Sequence, residues 1–334
     1  MSGGLEGAVL RSGKDPVSIA EALVRLRARR LVAIPTESVY GLAARTLDAD
    51  AVAAIYRAKG RPSDNPLIAH VSTVAMAREL VTDWPDEADR LALSLWPGPL
   101  TLVLPRAESV PDVATGGRDS IAIRIPAHTV ALEVIHRLGE PISAPSANRS
   151  GALSPTEARH VMAEFVDLDV LVLDGGPCRV GLESTVVDLR GPRPVVLRPG
   201  IVTADRLSTI LDCEVDSEVV DRQVDAPGTA ESHYAPSTPT RLCEAEDAGG
   251  EDVAVISFGE DVEVPARFRV CLPRDAEAVG SLLYATLHSA DLSGARRIDV
   301  VRPPESSDWA AIRDRLRRAT APRGEDDEAN APGG

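Results

Sequence analysis

Residues 55–72 read IYRAKGRPSDNPLIAHVS, and the stretch changes its period halfway. Val52, Ile55 and Tyr56 fall at helical spacing behind Asp48 or Asp50, either of which can cap a helix, and Gly60 stands where a helix stops. Pro62 then turns the chain outward, and 67–71 has the short, β-rich character of a strand. The same alternation continues in both directions. Ile19, Leu23 and Leu26 mark a helix over 17–29, and helical runs recur at 129–138 and 155–166. Strand-like runs fall at 31–34, 101–104, 120–125, 141–144, 170–173, 185–188 and 195–197. Strands interleaved with helices predict an α/β domain built on a mixed sheet, spanning residues 1–212.

The pattern breaks between 213 and 240. DAPGTAESHYAPSTPT (225–240) carries Pro227, Pro236 and Pro239 among small polar residues without periodicity, so 213–240 is expected to be an extended linker or lid. A second unit over 241–320 then runs strand (253–258), strand (268–272), helix (275–290), strand (297–301) and helix (308–319), a small Rossmann-like order. The stretch 321–334, with PRGEDDEANAPGG, is expected to be disordered.

Of 36 basic residues, 34 are arginine, and the two lysines are Lys14 and Lys59. The net charge of −15 is uneven: residues 1–200 hold 22 basic against 24 acidic side chains, and residues 201–334 hold 14 against 27. So acidic a second half repels a phosphate backbone, which argues against a protein whose main task is gripping nucleic acid. Aromatics make up 3% of the chain, so Val, Leu, Ala and Ile must build the core. Cys178, Cys213, Cys243 and Cys271 have no CxxC or Cys/His spacing, which supports neither a zinc site nor a disulfide framework and leaves them as buried small hydrophobes. The N-terminus lacks a signal-peptide core and no apolar run reaches the ~18 residues of a membrane span, so a soluble cytoplasmic protein is expected.

No GxGxxG, P-loop, HExxH or GxSxG motif is present. Four segments nevertheless have the composition of a site. PTESVYGLA (35–43) ends a strand in hydroxyls and an acid, where α/β sheets place ligands. Lys59 sits on the last turn of its helix, where any cation complements the dipole; a lysine in a chain that prefers arginine suggests a compact point charge set against a phosphate or carboxylate. ISAPSANRSGALSPT (142–156) is rich in hydroxyls; a helix cap accounts for Ser154 and leaves Ser146, Asn148 and Ser150 open to a ligand. VGLESTVVDL (180–189) and VLRPG (196–200) place Arg198 at a strand end, either salt-bridged or aimed at an anion. His70 alternates with apolar neighbours, as a satisfied core histidine does. No acid–base pair stands out.

KGRPSDNPLIAH, SAPSANRSG, LESTVVDL and VLRPG, in this order, resemble the blocks of the YrdC-like family. With SHYAP in the linker and a small second domain, the chain is similar to its two-domain members, the threonylcarbamoyl-AMP synthases, over about residues 17–318. The resemblance implies a YrdC-like twisted mixed sheet with helices, plus a Rossmann-like α/β C-terminal domain. It also implies a nucleotidyltransferase that joins L-threonine, bicarbonate and ATP into threonylcarbamoyl-adenylate, releasing pyrophosphate, with Mg²⁺ carried by ATP. This is the first step of N6-threonylcarbamoyladenosine formation in tRNA, and the product passes to a tRNA threonylcarbamoyl transferase system. By the same resemblance, Arg61, Asn65, Ser120, Ser146, Ser154, Arg198 and Tyr234 line the nucleotide. Ser38, His70, Arg124, Ala144 and Ser184 surround threonine and its carbamate. Lys59 lies among the phosphates or at the nascent carbamate and, with Arg61, is expected to be catalytic. Two departures stand out. Thr229–Ala230–Glu231–Ser232 replace the basic residues that many relatives carry before HYAP, and Ser38 stands where the family motif has threonine. The rival readings are an RNA-binding module and a carbamoyl-transfer or hydrolase enzyme on the same fold.

Overall fold

The computed structural model describes residues 7–216 and 234–321. Residues 217–233, which hold most of the expected linker and the TAES segment, lie outside the described residues, as does 322–334 of the expected tail.

Among the described residues, ten strands form the first sheet. In chain order they are β1 (Val9–Ser12), β2 (Val32–Ile34), β3 (Gly41–Arg45), β4 (Ile68–His70), β5 (Leu100–Pro105), β6 (Ser120–Arg124), β7 (Ile142–Ser143), β8 (Leu171–Asp174), β9 (Thr185–Asp188) and β10 (Val195–Arg198). They lie side by side as β1-β8-β2-β3-β7-β4-β6-β5-β9-β10. The sheet is mixed: β4 runs parallel to β6 and antiparallel to β7, while β5 pairs antiparallel with β6 and parallel with β9.

Helices cover both faces. They are α1 (Pro16–Arg27), α2 (Ala49–Lys59), α3 (Val74–Arg78), α4 (Asp86–Leu95), α5 (Asp112–Thr115), α6 (Thr129–Leu138), α7 (Ala158–Glu164) and α8 (Ala204–Leu211). Their ends follow from local chemistry. Asp48 accepts a hydrogen bond from the Ala51 amide at 3.2 Å to start α2, and Gly60 stops it at φ +60°, a left-handed value that glycine takes without strain. Val52, Ile55 and Tyr56 of α2 pack with Leu42, Ala69 and Ile123 on one face of the sheet. On the other face, Leu23 and Leu26 of α1 meet Val134, Ile135 and Leu138 of α6 over β2 and β8. A fully buried residue such as Ile55 contributes about 1.5–3 kcal/mol of apolar transfer, so the cover of α2 anchors β4 and β6 on one face, while Ile68 and Ala122 pack with Val103, Val186 and Leu197 on the other. Both strands end at the site described below.

The second unit is a parallel sheet of β11 (Thr240–Cys243), β12 (Gly250–Phe258), β13 (Ala266–Leu272) and β14 (Arg297–Val301), ordered β11-β14-β12-β13, with α9 (Ala276–Asp291) and α10 (Ala310–Ala319). One apolar cluster joins the two units: Val39, Leu153 and Leu182 of the first pack with Tyr284, Leu287 and Leu316 of the second.

The structure adds β1, β3 and β11 to the strands read from sequence. β1 is an exposed edge without alternation, β3 is made of Gly-Leu-Ala-Ala-Arg with weak β character, and β11 is a short edge strand that begins at the last residue of the expected linker. The near end of that linker is also paired, because the Val196 amide donates to the Asp216 carbonyl at 2.8 Å. The expectation for the cysteines needs correcting: Cys178 and Cys243 are buried, but Cys213 and Cys271 are exposed. Cys271 lies on β13, an edge strand whose alternate residues face outward, and Cys213 follows the end of α8.

Candidate active site

The ends of β4, β6 and β10 and the segments before β3, after β7 and before β9 enclose a cavity of roughly 50 Å³. Eight residues singled out in the sequence line it: Arg61, His70, Arg124, Ala144, Ser146, Ser184, Arg198 and Tyr234. They come from segments up to 173 residues apart in the chain, counted from Arg61 to Tyr234.

Arg124 ends β6 and is 3% exposed. It forms a buried ion pair with Glu37 and donates to the Ser38 hydroxyl at 2.9 Å and to the Gly98 carbonyl at 3.1 Å. Glu37 is held in turn by the Ala127 amide at 2.9 Å. Thr36 shapes the loop, donating to the Val39 carbonyl at 2.7 Å while accepting from the Ser38 and Val39 amides at 3.1 Å. Ser38 therefore stands behind the wall, as Arg124's partner.

His70 closes the next part of the wall. Its Nδ1 lies 3.2 Å from the Ile68 carbonyl, which assigns the proton to Nδ1 and leaves Nε2 as acceptor. Burial, reinforced by the charge of Arg124, pushes its pKa down to about 3, so the imidazole is neutral.

Lys59 is also behind the wall. It is 2% exposed, and its ammonium donates to the Ser146 carbonyl at 2.6 Å and to the Asn148 carbonyl. Burial, with the repulsion of Arg61, pushes its pKa well below the usual lysine range, and Glu164 opposes the shift. The lysine thus ties the end of α2 to the segment that carries Ser146. Arg61 donates to the side chain of Asn65 and to the Pro66 carbonyl at 3.0 Å, and burial pushes its pKa down to about 10. Asn65 holds Arg61 without lining the cavity itself. Ser120 is buried where β6 begins, opposite Pro105, and Ser154 is buried against Glu183; neither lines the cavity.

Arg198 closes the far side, donating to the Ser184 carbonyl at 3.0 Å and hydroxyl at 3.2 Å. Ser184 also lies 2.7 Å from the Thr101 hydroxyl. Burial lowers the pKa of Arg198, and the Tyr234 phenol pulls the other way. Tyr234 has a left-handed backbone at φ +65° and is 1% exposed, with the Arg315 guanidinium 5.4 Å above its ring.

Glu183, Tyr284 and Arg315 escaped the sequence reading, although LESTVVDL contains the first. Among the described residues no group of three or more His, Cys, Asp or Glu side chains is placed to hold a metal ion.

Three buried arginines, serine hydroxyls and a neutral histidine gathered at strand ends define an anion-binding α/β protein without a P-loop. Two family models match: one for the Sua5/YciO/YrdC family, described as telomere recombination, over residues 25–200, and one described as threonylcarbamoyl-AMP synthase, C-terminal domain, over 202–321. The threonylcarbamoyl-AMP synthase of Pyrococcus abyssi is 39% identical over 89% of this chain and 92% of its own, and that of Bacillus subtilis is 38% identical over 93% and 95%. The crystal structure of P. abyssi Sua5 complexed with L-threonine superposes with a TM-score of 0.83 at 37% identity, covering 94% of this chain and 96% of that one. The chain belongs to the threonylcarbamoyl-AMP synthase family.

Proposed function

We propose that this protein condenses L-threonine, bicarbonate and ATP into L-threonylcarbamoyl-adenylate and pyrophosphate, as a nucleotidyltransferase. The observation that carries the reading is the convergence of Arg61, Arg124 and Arg198 on one cavity in a chain of this family.

The chemistry balances without a covalent enzyme intermediate. The threonine amine attacks the carbon of bicarbonate-derived CO₂ and releases a proton to solvent, giving a carbamate. A carbamate oxygen then forms a bond to the α-phosphorus of ATP as the bond to the bridging oxygen breaks and pyrophosphate leaves with that electron pair. Mg²⁺ enters as part of the substrate, carried on the triphosphate.

The protein's task is positioning and charge stabilisation. Arg61 and Arg198 lie apart on the wall and suit the oxygens of a polyphosphate, while Ser146 and Ser184 offer hydroxyls. Arg124, bonded from behind to Ser38, forms the threonine side together with His70 and Ala144. A histidine whose pKa is about 3 is a poor proton acceptor at neutral pH, so His70 orients through its Nε2 lone pair rather than acting as general base. Tyr234 lines the cavity and meets Tyr284 of the second unit, their ring centroids 5.8 Å apart.

The family model over 202–321 favours synthesis over the carbamoyl-transfer and hydrolase alternatives. Among the described residues no helix is long and apolar enough to cross a membrane, and we place the enzyme in the cytoplasm, handing its product to a tRNA threonylcarbamoyl transferase system without stable tRNA binding of its own. Pyrophosphate release by the purified protein with ATP, Mg²⁺ and bicarbonate tests the reading. Release that requires L-threonine is expected; threonine-independent release, or none, overturns it.

A further inference from the structure

We propose that Arg315, supplied by the second unit, is a positioning residue for the nucleotide site, and that it acts by neutralising Glu183 so that Arg198 keeps its charge for an anionic substrate. The inference rests on the proposed reaction and assigns to α10 a part in it.

Glu183 lies on the cavity wall, next in sequence to Ser184, whose carbonyl and hydroxyl accept from Arg198, so its carboxylate feels the charge of that guanidinium. A carboxylate there repels a triphosphate. Its two oxygens are taken up from the other side: Ser154 donates to Oε1 at 2.5 Å, and Tyr284 and Arg315 donate to Oε2 at 3.1 Å and 2.7 Å. All four side chains are buried, with Arg315 1% and Glu183 7% exposed, so water screens the pair very little. Arg315 also donates to the Pro199 carbonyl at 3.0 Å, one residue beyond Arg198. Asp314 pairs with Arg315 at 2.5 Å, yet Arg317 and Arg318 also bond Asp314, which leaves Arg315 directed at Glu183.

Two arginines thus flank one glutamate: Arg198 from the first unit and Arg315 from the second. With Arg315 present, the carboxylate has a partner outside the substrate space. Removing Arg315 leaves Glu183 under the charge of Arg198, and the glutamate then competes with ATP for that arginine. The effect falls on nucleotide binding rather than on the chemical step. It is reversed when Glu183 is made neutral, which separates charge compensation from simple packing.

The test is steady-state pyrophosphate release and calorimetric binding of Mg-ATP, on the full chain, for wild type, Arg315→Met, Arg315→Lys and the double variant Arg315→Met with Glu183→Gln. Circular dichroism and the thermal midpoint establish that each is folded. For Arg315→Met the KM for ATP and the Kd for Mg-ATP rise by about 10-fold or more, and kcat changes by less than about 3-fold. Arg315→Lys keeps a cation and recovers most of the affinity. The double variant, which removes both members of the buried Glu183–Arg315 pair and keeps its fold if the single variant does not, returns to within about 3-fold of wild-type KM. Unchanged nucleotide affinity in Arg315→Met, or a double variant as impaired as the single one, overturns the proposal. A wild-type protein without threonine-dependent turnover overturns the proposed function instead, and the calorimetric comparison still decides whether Arg315 governs nucleotide affinity.

Discussion

Replacing Lys59 by methionine keeps most of the length of the side chain and removes its ammonium from a site 2% exposed to solvent. Two acceptors lose their donor, the carbonyls of Ser146 and Asn148. A hydrogen bond from a charged donor contributes about 1.5–3 kcal/mol, and the two together about 3–6 kcal/mol. The desolvation of the ammonium, evident in its lowered pKa, offsets part of this, leaving a net loss of about 2–4 kcal/mol. In urea denaturation, with a slope of about 1–3 kcal/mol per molar, the midpoint falls by about 1 M or more. Released from Lys59, the segment carrying Ser146 shifts at the cavity wall, and a displacement of the order of 1 Å in a positioning group lowers turnover by about 10²-fold. Lys59→Arg sharpens the test, because a planar guanidinium cannot place one compact donor between two carbonyls two residues apart. Arginine at 59 is therefore expected to lose most of the activity, which explains a lysine in a chain holding 34 arginines. An unshifted midpoint in Lys59→Met, or wild-type stability and turnover in Lys59→Arg, refutes this reasoning.

Arg198→Ala removes a cation from the wall and is expected to lower pyrophosphate release by about 10²-fold or more, the effect of losing one charge-stabilising donor; near-normal kcat/KM excludes it from the mechanism. Stability should fall as pH drops from 6.5 to 5. The folded pKa of His70 is about 3, so the unfolded chain takes up the proton first, and the contribution, complete above pH 6.5, shrinks by about 2 kcal/mol at pH 5. His160, also near 3, adds to the fall. Urea midpoints at pH 7 and pH 5 check it, and a flat profile, or an equally steep one in His70→Asn, contradicts the assignment.

What the sequence disclosed and what it hid have physical reasons. α2 and β4 were legible because Asp48, Gly60 and Pro62 punctuate the chain and the apolar period changes between them. β3 was not: Gly-Leu-Ala-Ala-Arg has no strand signal of its own and is held by neighbours on both sides, β2 and β7. Within the site, Arg198 stood out at the end of an apolar strand, whereas His70 read as a core histidine and Arg124 was pointed to by the family resemblance alone; all three reach the cavity. The rarity of lysine pointed at Lys59, but its surroundings, two main-chain carbonyls, could not be read from spacing. Arg315 was hidden most completely. It lies in AAIRDRLRRA, where a run of arginines on a helix reads as a solvated face, and its partner Glu183 is 132 residues away. A buried ion pair between distant segments leaves no local pattern.

The account stands or falls on the carbon that joins threonine to the nucleotide. The decisive measurement is incorporation of ¹³C-labelled bicarbonate into an adenylate, followed by mass spectrometry on rapidly quenched reactions containing ATP, Mg²⁺ and L-threonine. The account predicts a threonylcarbamoyl-AMP species that carries the label, forms together with pyrophosphate and is absent without threonine. Pyrophosphate released without a labelled adenylate, or an adenylate formed without bicarbonate carbon, contradicts it.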